Sequence, residues 1–469
     1  MNHKKALSSA RLIAAAILAA LMLAACSPAS TDQNTSSQAP AQQAEAVDET
    51  SAGDSSEGAA SSEESADTET TAEEASSAET PSAEEDYSAE NSTETDSTSE
   101  QTSAEAGEEE LSSTETAASN DWQTDAPENH NMDPAVLADL HAVLPSSSVY
   151  SMVTVKDGVI IDEYYREGYD EQRLYRLNSA SKSFTSALIG IAIEQGYIGG
   201  VDDLLSDYLP QVLEQEDTRK HQITLEHLLT HTSGLEWYEW GGGYSNWVEF
   251  QTAPNWVDYI LGRNLVYDPG TQFAYSTGNT HLLSAVLEAA TGMTEEEYAR
   301  INLFEPLGIE NWQWDTDPQG ITDGGNGLHL STRDAARFGQ LFLQNGQWNG
   351  QQLVPADWVE VSTTAKNGGA GDGTGSYGYQ WWTRTYHSGG YDTYTPPYGR
   401  VGYTVYYALG HGGQFIFVVP ELDLVCAITA EGNSTYAPRP FFTDYILSGQ
   451  LVKSSATANW KRFQRGSSS

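Results

Sequence analysis

Runs of β-branched and aromatic residues lie near both ends of the region that follows residue 126. At its start, the runs SVYSMVTV and VIIDEYY flank Lys156-Asp157-Gly158. An Asp-Gly pair between two such runs predicts a β-hairpin. Near its end, the runs VGYTVYYAL, GQFIFVVP and DLVCAITA are separated by short turn segments. These three runs predict consecutive antiparallel strands.

Between the strands the hydrophobic pattern becomes helical. The segment SKSFTSALIGIAIEQG predicts a helix that ends near Gly196, and it is apolar nearly all round, which is typical of a buried helix. We predict further helices in LEHLLTH, NTHLLSAVLEAATG and TRDAARFGQLFLQNG, a closing helix in RPFFTDYILSGQL, and core packing for YGYQWW at 377–382. Strands at both ends with helices between them predict an α+β fold, in which an antiparallel sheet is accompanied by an inserted, mainly helical region.

The N-terminus has the pattern of a secretory signal, because basic residues precede an apolar run from Leu12 to Ala25. This run is too short to span a bilayer comfortably, since a spanning helix needs about 20 residues. It ends in LAAC at Cys26, which resembles a bacterial lipobox. We therefore predict a lipoprotein signal peptide at 1–26 and a lipid anchor on Cys26, which would place the protein outside the cytoplasm on a bacterial membrane. The alternative is an ordinary signal peptide in which the cysteine has no role.

From residue 27 to about 120 the chain consists mainly of Ser, Thr, Ala, Glu and Asp, and it contains no Lys or Arg. A segment of this composition cannot bury a core. We predict a disordered acidic linker at 27–126 and a single folded domain at 127–465. Like charges repel and extend such a linker, so it would act as a spacer between membrane and domain.

Charge and cysteine content limit the partners of the protein. The chain has 67 acidic and 22 basic residues and a formal net charge of −45, and the part after the linker is still acidic. Nucleic acid is therefore not a predicted partner, because binding it requires a basic surface. The other cysteine, Cys426, lies in an apolar run and is predicted to be a buried core residue, so we expect no disulfide, no metal site and no cofactor.

The segment RLNSASKSF contains the only Ser-x-x-Lys pair of the chain, Ser179 and Lys182. Residues at i and i+3 share one face of a helix, which brings an amine within reach of a hydroxyl. The pair opens the most apolar helix of the chain, where a solvated lysine would be misplaced. A partly buried lysine has a lowered pKa and can accept a proton near neutral pH. These two residues are therefore a candidate nucleophile and its base.

Two later segments complete a resemblance. Tyr275-Ser276-Thr277 has the form of a Tyr-x-Asn motif, and His411-Gly412-Gly413 has the form of a Lys-Thr-Gly motif. With Ser-x-x-Lys, this order resembles the serine β-lactamase and penicillin-binding-protein superfamily. The chain is similar to its class C β-lactamase-related hydrolases, which include esterases, D-amino-acid peptidases and 6-aminohexanoate-dimer hydrolases. The resemblance covers about 129–450 and extends through ITLEHLLTHTSGL, PGTQFAYSTGN, FEPLGIENW, GNGLHLSTRDAARFGQLFLQNGQW and VVPELDLV.

This resemblance implies a β-lactamase/transpeptidase-like fold and a set of roles. Ser179 would be the acylated nucleophile, Lys182 its activating partner, and Tyr275 a general base that acts as phenolate or through the lysine. His411 and Gly413 would line the pocket. The backbone N–H groups of Ser179 and Gln414 would form the oxyanion hole, where losing one donor typically costs about 3 kcal/mol.

Two positions depart from the family pattern, and both are substrate-facing in the family. Thr277 replaces an asparagine and cannot offer an amide to the substrate, and Asn279 is a possible substitute. His411 replaces a lysine, and a histidine with an ordinary pKa is mostly neutral at pH 7. The positive charge that would hold a β-lactam carboxylate is therefore weakened.

Two further motifs have simple structural explanations as alternatives to a functional role. His227 and His231 have the i, i+4 spacing of a zincin helix, but Leu228 follows where the glutamate belongs, which favours capping and packing over metal binding. The aromatic, glycine-rich stretch 237–247 could either rim the pocket or serve as packing.

The expected function is that of a serine hydrolase which cleaves an ester or amide through an acyl-enzyme on Ser179. Its substrate would be a small molecule, and D-amino-acid and peptidoglycan-derived compounds are among the possibilities. The alternatives are a penicillin-binding sensor or binding module with little turnover, and a true class C β-lactamase. A degenerate binding module would usually lack the serine, the lysine or the tyrosine, and all three are present, which favours the enzyme.

Overall fold

The structure is a computed structural model, and it describes residues 122–239, 246–371, 373–387, 402–432 and 434–450. The predicted signal peptide, its lipidated cysteine and most of the predicted linker lie outside the described residues. None of the helices in the described ranges is long and apolar enough to cross a membrane.

Twelve strands form three antiparallel sheets among the described residues. The main sheet has seven strands in the order β2-β1-β12-β11-β10-β9-β8, a second has the order β3-β5-β4, and β6 pairs with β7. The strands are β1 Val149–Lys156, β2 Val159–Tyr165, β3 Tyr175–Arg176, β4 Gln313–Trp314, β5 Leu328–Leu330, β6 Gln347–Trp348, β7 Gln351–Gln352, β8 Ser376–Tyr377, β9 Trp382–His387, β10 Gly402–Gly410, β11 Gln414–Val419 and β12 Leu424–Ala430.

The α-helices of the described residues lie mostly between the first and the last strands of the main sheet. They are α1 Pro134–Val143, α2 Ser181–Glu194, α3 Leu205–Tyr208, α4 Leu225–Leu229, α5 Asn246–Thr252, α6 Trp256–Leu261, α7 Thr277–Thr291, α8 Glu295–Ala299, α9 Glu305–Leu307, α10 Thr332–Leu343, α11 Ala356–Thr363 and α12 Arg439–Phe441. Short 3₁₀-helices are Pro127–His130, Leu144–Ser146, Asn178–Ala180, Pro210–Glu214, Thr218–Gln222 and Pro420–Leu422, and π-helical turns are Arg300–Phe304 and Phe442–Ile446.

The predicted hairpin and the three predicted C-terminal strands are confirmed. At the hairpin turn Asp157 has φ 52° and Gly158 has φ 80°, as a type I′ turn requires of both central residues. The N-terminal strand β1 pairs with β12, so that Val153 lies opposite Ala427. The two ends of the domain therefore meet as neighbouring inner strands of one sheet, and the predicted α+β class is confirmed.

Both faces of the main sheet are covered by apolar cores. On one face, Val153 and Ile416 pack in a large cluster with the inserted helices. On the other face, Met152 and Phe417 pack with Leu137 of α1 and with the closing helical segment. Neighbouring residues of one strand thus point to opposite cores, since side chains alternate across a sheet. Cys426 is fully buried in the second core, as predicted.

Helix α2 is buried in the first core and ends where the sequence predicts. It stops at Glu194, and Gly196 follows with φ +77°, a conformation that glycine adopts without steric cost. Helix α7 packs beside α2, with its N-terminal end facing the start of α2. The predicted core segment around residue 380 is likewise buried, with Tyr377, Tyr379 and Trp381 each 2% exposed or less.

Candidate functional site

Ser179 lies in the 3₁₀ turn Asn178–Ala180, which leads directly into α2. Hydrogen bonds from the residues on either side of Ser179 fix this turn. The Ser181 hydroxyl donates to the backbone oxygen of Asn178 at 2.7 Å, and it accepts from the backbone N–H of Leu328 at 3.2 Å. The Asn178 amide donates to the backbone oxygen of His411 at 2.8 Å. The position of Ser179 is therefore set jointly by α2, β5 and the turn after β10.

Lys182 is buried in the first turn of α2, with 1% of its surface exposed. Its Nζ atom donates three hydrogen bonds, to Ser179 Oγ at 3.2 Å, to Thr277 Oγ1 at 2.9 Å and to the Gly325 backbone oxygen at 2.7 Å. Burial lowers the pKa of Lys182 to about 8, although the nearby carboxylates of Glu239 and Asp323 act in the opposite direction. A group with this pKa exchanges its proton near neutral pH.

Thr277 is the first residue of α7, and its side chain is fully buried. Its hydroxyl accepts from Lys182 and donates to Glu239 Oε1. The other carboxylate oxygen, Glu239 Oε2, accepts from the backbone N–H of Thr277 at 3.0 Å and from the indole N–H of Trp237. A carboxylate at this end of α7 also benefits from the helix dipole. Thr277 therefore links Lys182 to Glu239.

Tyr275 lies over the same lysine. Lys182 Nζ is 5.2 Å from the centre of its ring. The ring is stacked on Trp382 at 5.8 Å and is tilted against His231 at 4.8 Å. Desolvation and the charge of Glu239 raise the pKa of Tyr275 well above its ordinary value, and the hydrogen bond with Ser179 lowers it only in part. The side chain is therefore a phenol rather than a phenolate at neutral pH.

The glycine pair Gly324-Gly325 brings a loop against Lys182 from the other side. A Cβ atom on Gly325 would lie 2.7 Å from Thr277 Cγ2, and one on Gly324 would lie 2.5 Å from Glu295 Oε2. Only glycine allows this approach, since real Cβ contacts are longer. The next residue, Asn326, accepts a hydrogen bond from Ser179 Oγ at 3.2 Å through its side-chain oxygen.

A cavity of about 530 Å³ opens in front of Ser179. Its described lining contains five tryptophan and tyrosine side chains, one carboxylate and no lysine or arginine. The lining residues are Ser179, Trp237, Tyr238, Glu239, Tyr275, Ala370, Thr374, Trp382, Leu409, Gly410, His411, Thr435 and Tyr436. A concave, mainly apolar site with a few polar groups is typical of small-molecule binding.

The structure brings Ser179, Lys182 and Tyr275 together, and it places His411 on the cavity wall. Gly413 and Gln414 are not part of that wall. Gly413 has φ +100° and packs against Pro438. The Gln414 side chain bonds the backbone oxygen of Ala430, and this residue lines a separate pocket of about 370 Å³. A role for the Gln414 N–H in an oxyanion hole stays a prediction.

Thr277 is fully buried and is not among the residues that line the cavity, and its hydroxyl contacts Lys182 and Glu239. A contact between Thr277 and the substrate stays a prediction. Asn279 does not replace it there. Its side-chain oxygen accepts from Ser233 at 2.8 Å, and the residue is buried away from the cavity.

Three residues of the site did not emerge from the sequence. Asn326 contacts Ser179, Glu239 contacts Thr277 next to Lys182, and Trp382 stacks on Tyr275 although its segment was predicted to be core. The available signal for Glu239 was a lone carboxylate inside an aromatic stretch. Of that stretch, Trp237 and Tyr238 line the cavity, while residues 240–245 lie outside the described residues.

The histidine pair at zincin spacing has structural contacts. His227 Nδ1 lies 3.1 Å from the backbone nitrogen of Thr224, and the Thr224 hydroxyl accepts from the His227 backbone N–H. This reciprocal arrangement caps the start of α4. His231 is fully buried between Tyr275 and Tyr377. Within the described ranges, no group of three or more His, Cys, Asp or Glu side chains could hold a metal ion.

Comparisons with known proteins agree on one family. A family model described as Beta-lactamase matches residues 142–450. A 6-aminohexanoate-dimer hydrolase from Paenarthrobacter ureafaciens is 25% identical over 266 residues, which are 52% of this chain and 67% of that protein. Penicillin-binding protein 4* from Bacillus subtilis (strain 168) is 32% identical over 140 residues, but the match spans only 29% of either chain.

Solved structures show the same fold. The structure of EstCE1, a hydrolase with promiscuous acyltransferase activity, has a TM-score of 0.52 and 16% identity, and the match covers 68% of this chain and 98% of that one. At this level of identity the likeness concerns the fold alone. The antiparallel sheet with helices on both faces therefore has the β-lactamase/transpeptidase-like topology that the sequence predicts.

Proposed function

This chain belongs to the beta-lactamase family and is a hydrolase of that family, and on this premise we propose that it cleaves small esters and amides through an acyl-enzyme on Ser179. The observation that carries the proposal is the contact between Ser179 Oγ and the buried Nζ atom of Lys182 at 3.2 Å. A hydroxyl next to a desolvated amine is an activated nucleophile.

The acylation step follows from the protonation states of the site. With a pKa of about 8, roughly a tenth of Lys182 is neutral at pH 7. Neutral Lys182 accepts the proton of Ser179 as Oγ forms a bond with the substrate carbonyl carbon. The carbonyl oxygen becomes an oxyanion, and when it re-forms the double bond, the bond to the leaving group breaks. The proton held by Lys182 then passes to the leaving group, with the Tyr275 phenol, which hydrogen-bonds Ser179, as the relay, so that both side chains end in their starting protonation states. Water adds to the acyl carbon, and the bond to Ser179 Oγ breaks as Oγ regains a proton and the acid is released.

The cavity favours uncharged substrates with an apolar acyl group. Aromatic rings on its wall offer apolar contact area, and Glu239 places a negative charge at the same wall. This carboxylate would repel an anionic substrate, and the cavity lining among the described residues has no lysine or arginine to compensate for the repulsion. The proposal therefore ranks short-chain esters and small neutral amides above β-lactams that carry a carboxylate.

An activity panel tests this ranking. The panel contains p-nitrophenyl esters, D-amino-acid amides, linear amide oligomers and nitrocefin. We expect turnover of short-chain esters with weak or no hydrolysis of nitrocefin. Efficient nitrocefin turnover with untouched esters would make the protein a true β-lactamase, and binding of all compounds without turnover would make it a sensor.

Covalent labelling tests the nucleophile. A fluorophosphonate should add to Ser179 alone, which intact mass and peptide mapping can show. Ser179→Ala should abolish labelling and ester turnover. Ser183→Ala is a matched control from the adjoining helix α2, since the Ser183 hydroxyl is buried and bonds the backbone oxygen of Gln380 at 2.7 Å. Labelling that survives Ser179→Ala overturns the assignment.

We also propose that the protein is held outside the cytoplasm by lipid on Cys26. The support is the order of a basic start, an apolar run and LAAC in the sequence. A single acyl chain gives only marginal membrane binding, so stable anchoring requires at least two.

A further inference from the structure

The Thr277 hydroxyl lies between the carboxylate of Glu239 and the amine of Lys182. The carboxylate can only accept a hydrogen bond, whereas a neutral amine can both donate and accept one. Glu239 is a carboxylate, so its Oε1 atom can only accept from Thr277. Lys182 Nζ lies 2.9 Å from the same hydroxyl oxygen. A hydroxyl has a single proton, and here it points at Glu239. The lone pairs of Thr277 Oγ1 are therefore left for Lys182.

The remaining contacts of Lys182 limit the direction in which the lone pair of its neutral amine can point. The Gly325 backbone oxygen, 2.7 Å from Nζ, is also an acceptor only. A neutral amine has two N–H groups and one lone pair. When both N–H groups are used on Thr277 and Gly325, the third direction of Nζ is the one toward Ser179 Oγ at 3.2 Å.

We propose that Glu239 is a positioning residue that makes Thr277 an obligate acceptor and so directs the lone pair of neutral Lys182 at the Ser179 hydroxyl. The inference rests on the proposed function, because it assumes that Lys182 is the base. It assigns a role to the threonine that stands where the family has an asparagine. Without a carboxylate at 239, the Thr277 hydroxyl is free to rotate and to donate to the lone pair of Lys182, which occupies the base before it can act.

Other groups facing Lys182 do not provide this orientation. Asp323 raises the pKa of Lys182 through its charge. His231 and Tyr377 are fully buried aromatic side chains whose pKa values desolvation shifts away from neutral pH, downward for His231 and upward for Tyr377. Tyr275 presents the face of its ring to Nζ. Among the described residues, Glu239 is thus the group that decides which way the Thr277 proton points.

Four variants test the proposal by their pH profiles of kcat/KM on a neutral p-nitrophenyl ester. In Glu239→Gln the new amide N–H can donate to Thr277 Oγ1 and release the threonine proton toward Lys182. We expect the plateau at high pH to fall about ten- to a hundredfold, the range for loss of a hydrogen bond to a charged group. We also expect the acidic limb to move to lower pH, because a negative charge near Lys182 is removed.

Thr277→Val should show a similar loss, and Thr277→Ser, which keeps the hydroxyl, should keep the wild-type profile. The double variant Glu239→Gln/Thr277→Val should lose no more than the worse single variant, because both act through one hydrogen-bonded chain. Thermal unfolding and circular dichroism of each variant establish that the protein is folded. A merely structural role would lower the amount of folded protein without changing the profile per folded molecule.

The outcomes separate this inference from the proposed function. If Ser179→Ala is inactive and Glu239→Gln keeps the full plateau with only a shifted limb, Glu239 acts by charge alone and the positioning role is wrong. Additive losses in the double variant have the same meaning. If Ser179→Ala remains active, the assigned nucleophile itself is wrong, whatever the Glu239 variants show.

Discussion

The Nζ atom of Lys182 lies 3.2 Å from the Oγ atom of Ser179, although the two residues belong to different helix types. Ser179 is in a 3₁₀ turn, and Lys182 is in the first turn of the α-helix that follows. Residues at i and i+3 share one face of a helical segment. The hydroxyl and the amine therefore meet across the junction between the 3₁₀ turn and α2.

The rate of ester hydrolysis should increase with pH and level off, with a midpoint near 8. Protonated Lys182 cannot accept the serine proton, and its pKa is about 8 because burial outweighs the attraction of nearby carboxylates. The measurement is kcat/KM from pH 6 to 9.5 with a p-nitrophenyl ester, whose acyl group does not titrate in this range. Asp323→Asn should move the midpoint to lower pH, since a charge that favours protonated Lys182 is lost. A flat profile would contradict the assignment of Lys182 as the base.

Substitution of His411 by lysine should shift specificity toward anionic β-lactams. His411 is exposed on the cavity wall, so a longer cationic side chain can reach a substrate carboxylate. A charge-assisted hydrogen bond contributes about 1.5–3 kcal/mol, which is about ten- to a hundredfold in kcat/KM. The measurement is the ratio of nitrocefin to ester turnover in wild type and His411→Lys. The neutral variant His411→Gln is the control, and an equal shift in both variants would show that charge is not the cause.

Glu295 should make the protein less stable as pH increases through the range from 4.5 to 7. Burial raises the pKa of Glu295 from 4.5 to about 7. Between these values the folded state holds a proton that the unfolded state has released, so the free energy of unfolding falls with increasing pH. The full shift corresponds to about 3 kcal/mol at 1.36 kcal/mol per pKa unit.

Urea unfolding of wild type and Glu295→Gln at pH 5 and pH 8 measures this effect. The variant cannot ionise at 295, so its stability relative to wild type should be greater at pH 8 than at pH 5. Glu297→Gln in the same helix is the control, because Glu297 is exposed. If both variants respond to pH alike, the buried carboxyl is not the source.

Membrane attachment should depend on Cys26. We expect the mature protein to begin at this residue and to partition into the detergent phase in Triton X-114 extraction. Cys26→Ala should release the protein into the aqueous phase or leave the precursor uncut. Unchanged partitioning of the variant would exclude a lipid anchor at this position. Activity on small soluble esters should survive deletion of 27–120, since a segment of this composition contributes no core.

The parts of the fold that could be predicted depend on neighbours in sequence. The hairpin at Asp157-Gly158 requires only a pair of residues that accept positive φ, and the strands near the C-terminus require only local β-branched and aromatic composition. The Ser179–Lys182 contact is equally local, because the two residues are only three positions apart in the sequence. These features follow from short-range sterics and periodicity.

The parts that could not be predicted depend on contacts between distant segments. Glu239 meets Thr277 across 38 residues, and Asn326 meets Ser179 across 147. The Thr277 side chain meets Lys182 where α7 docks on α2, and no pattern within either helix encodes that docking. Trp382 likewise joins the site by stacking on Tyr275. The sequence around Trp382 indicates only that the segment is apolar.

The pairing of β1 with β12 has a consequence for how the chain reaches its folded state. The sheet places β12 third in the order, between β1 and β11. During synthesis β1 has only the β2 hairpin as a neighbour until β12 emerges roughly 270 residues later, and such a long loop closes slowly. Truncation before Leu424 would therefore not trim an edge of the sheet. It would split the sheet into two pieces and leave unpaired strand edges, which are prone to aggregation.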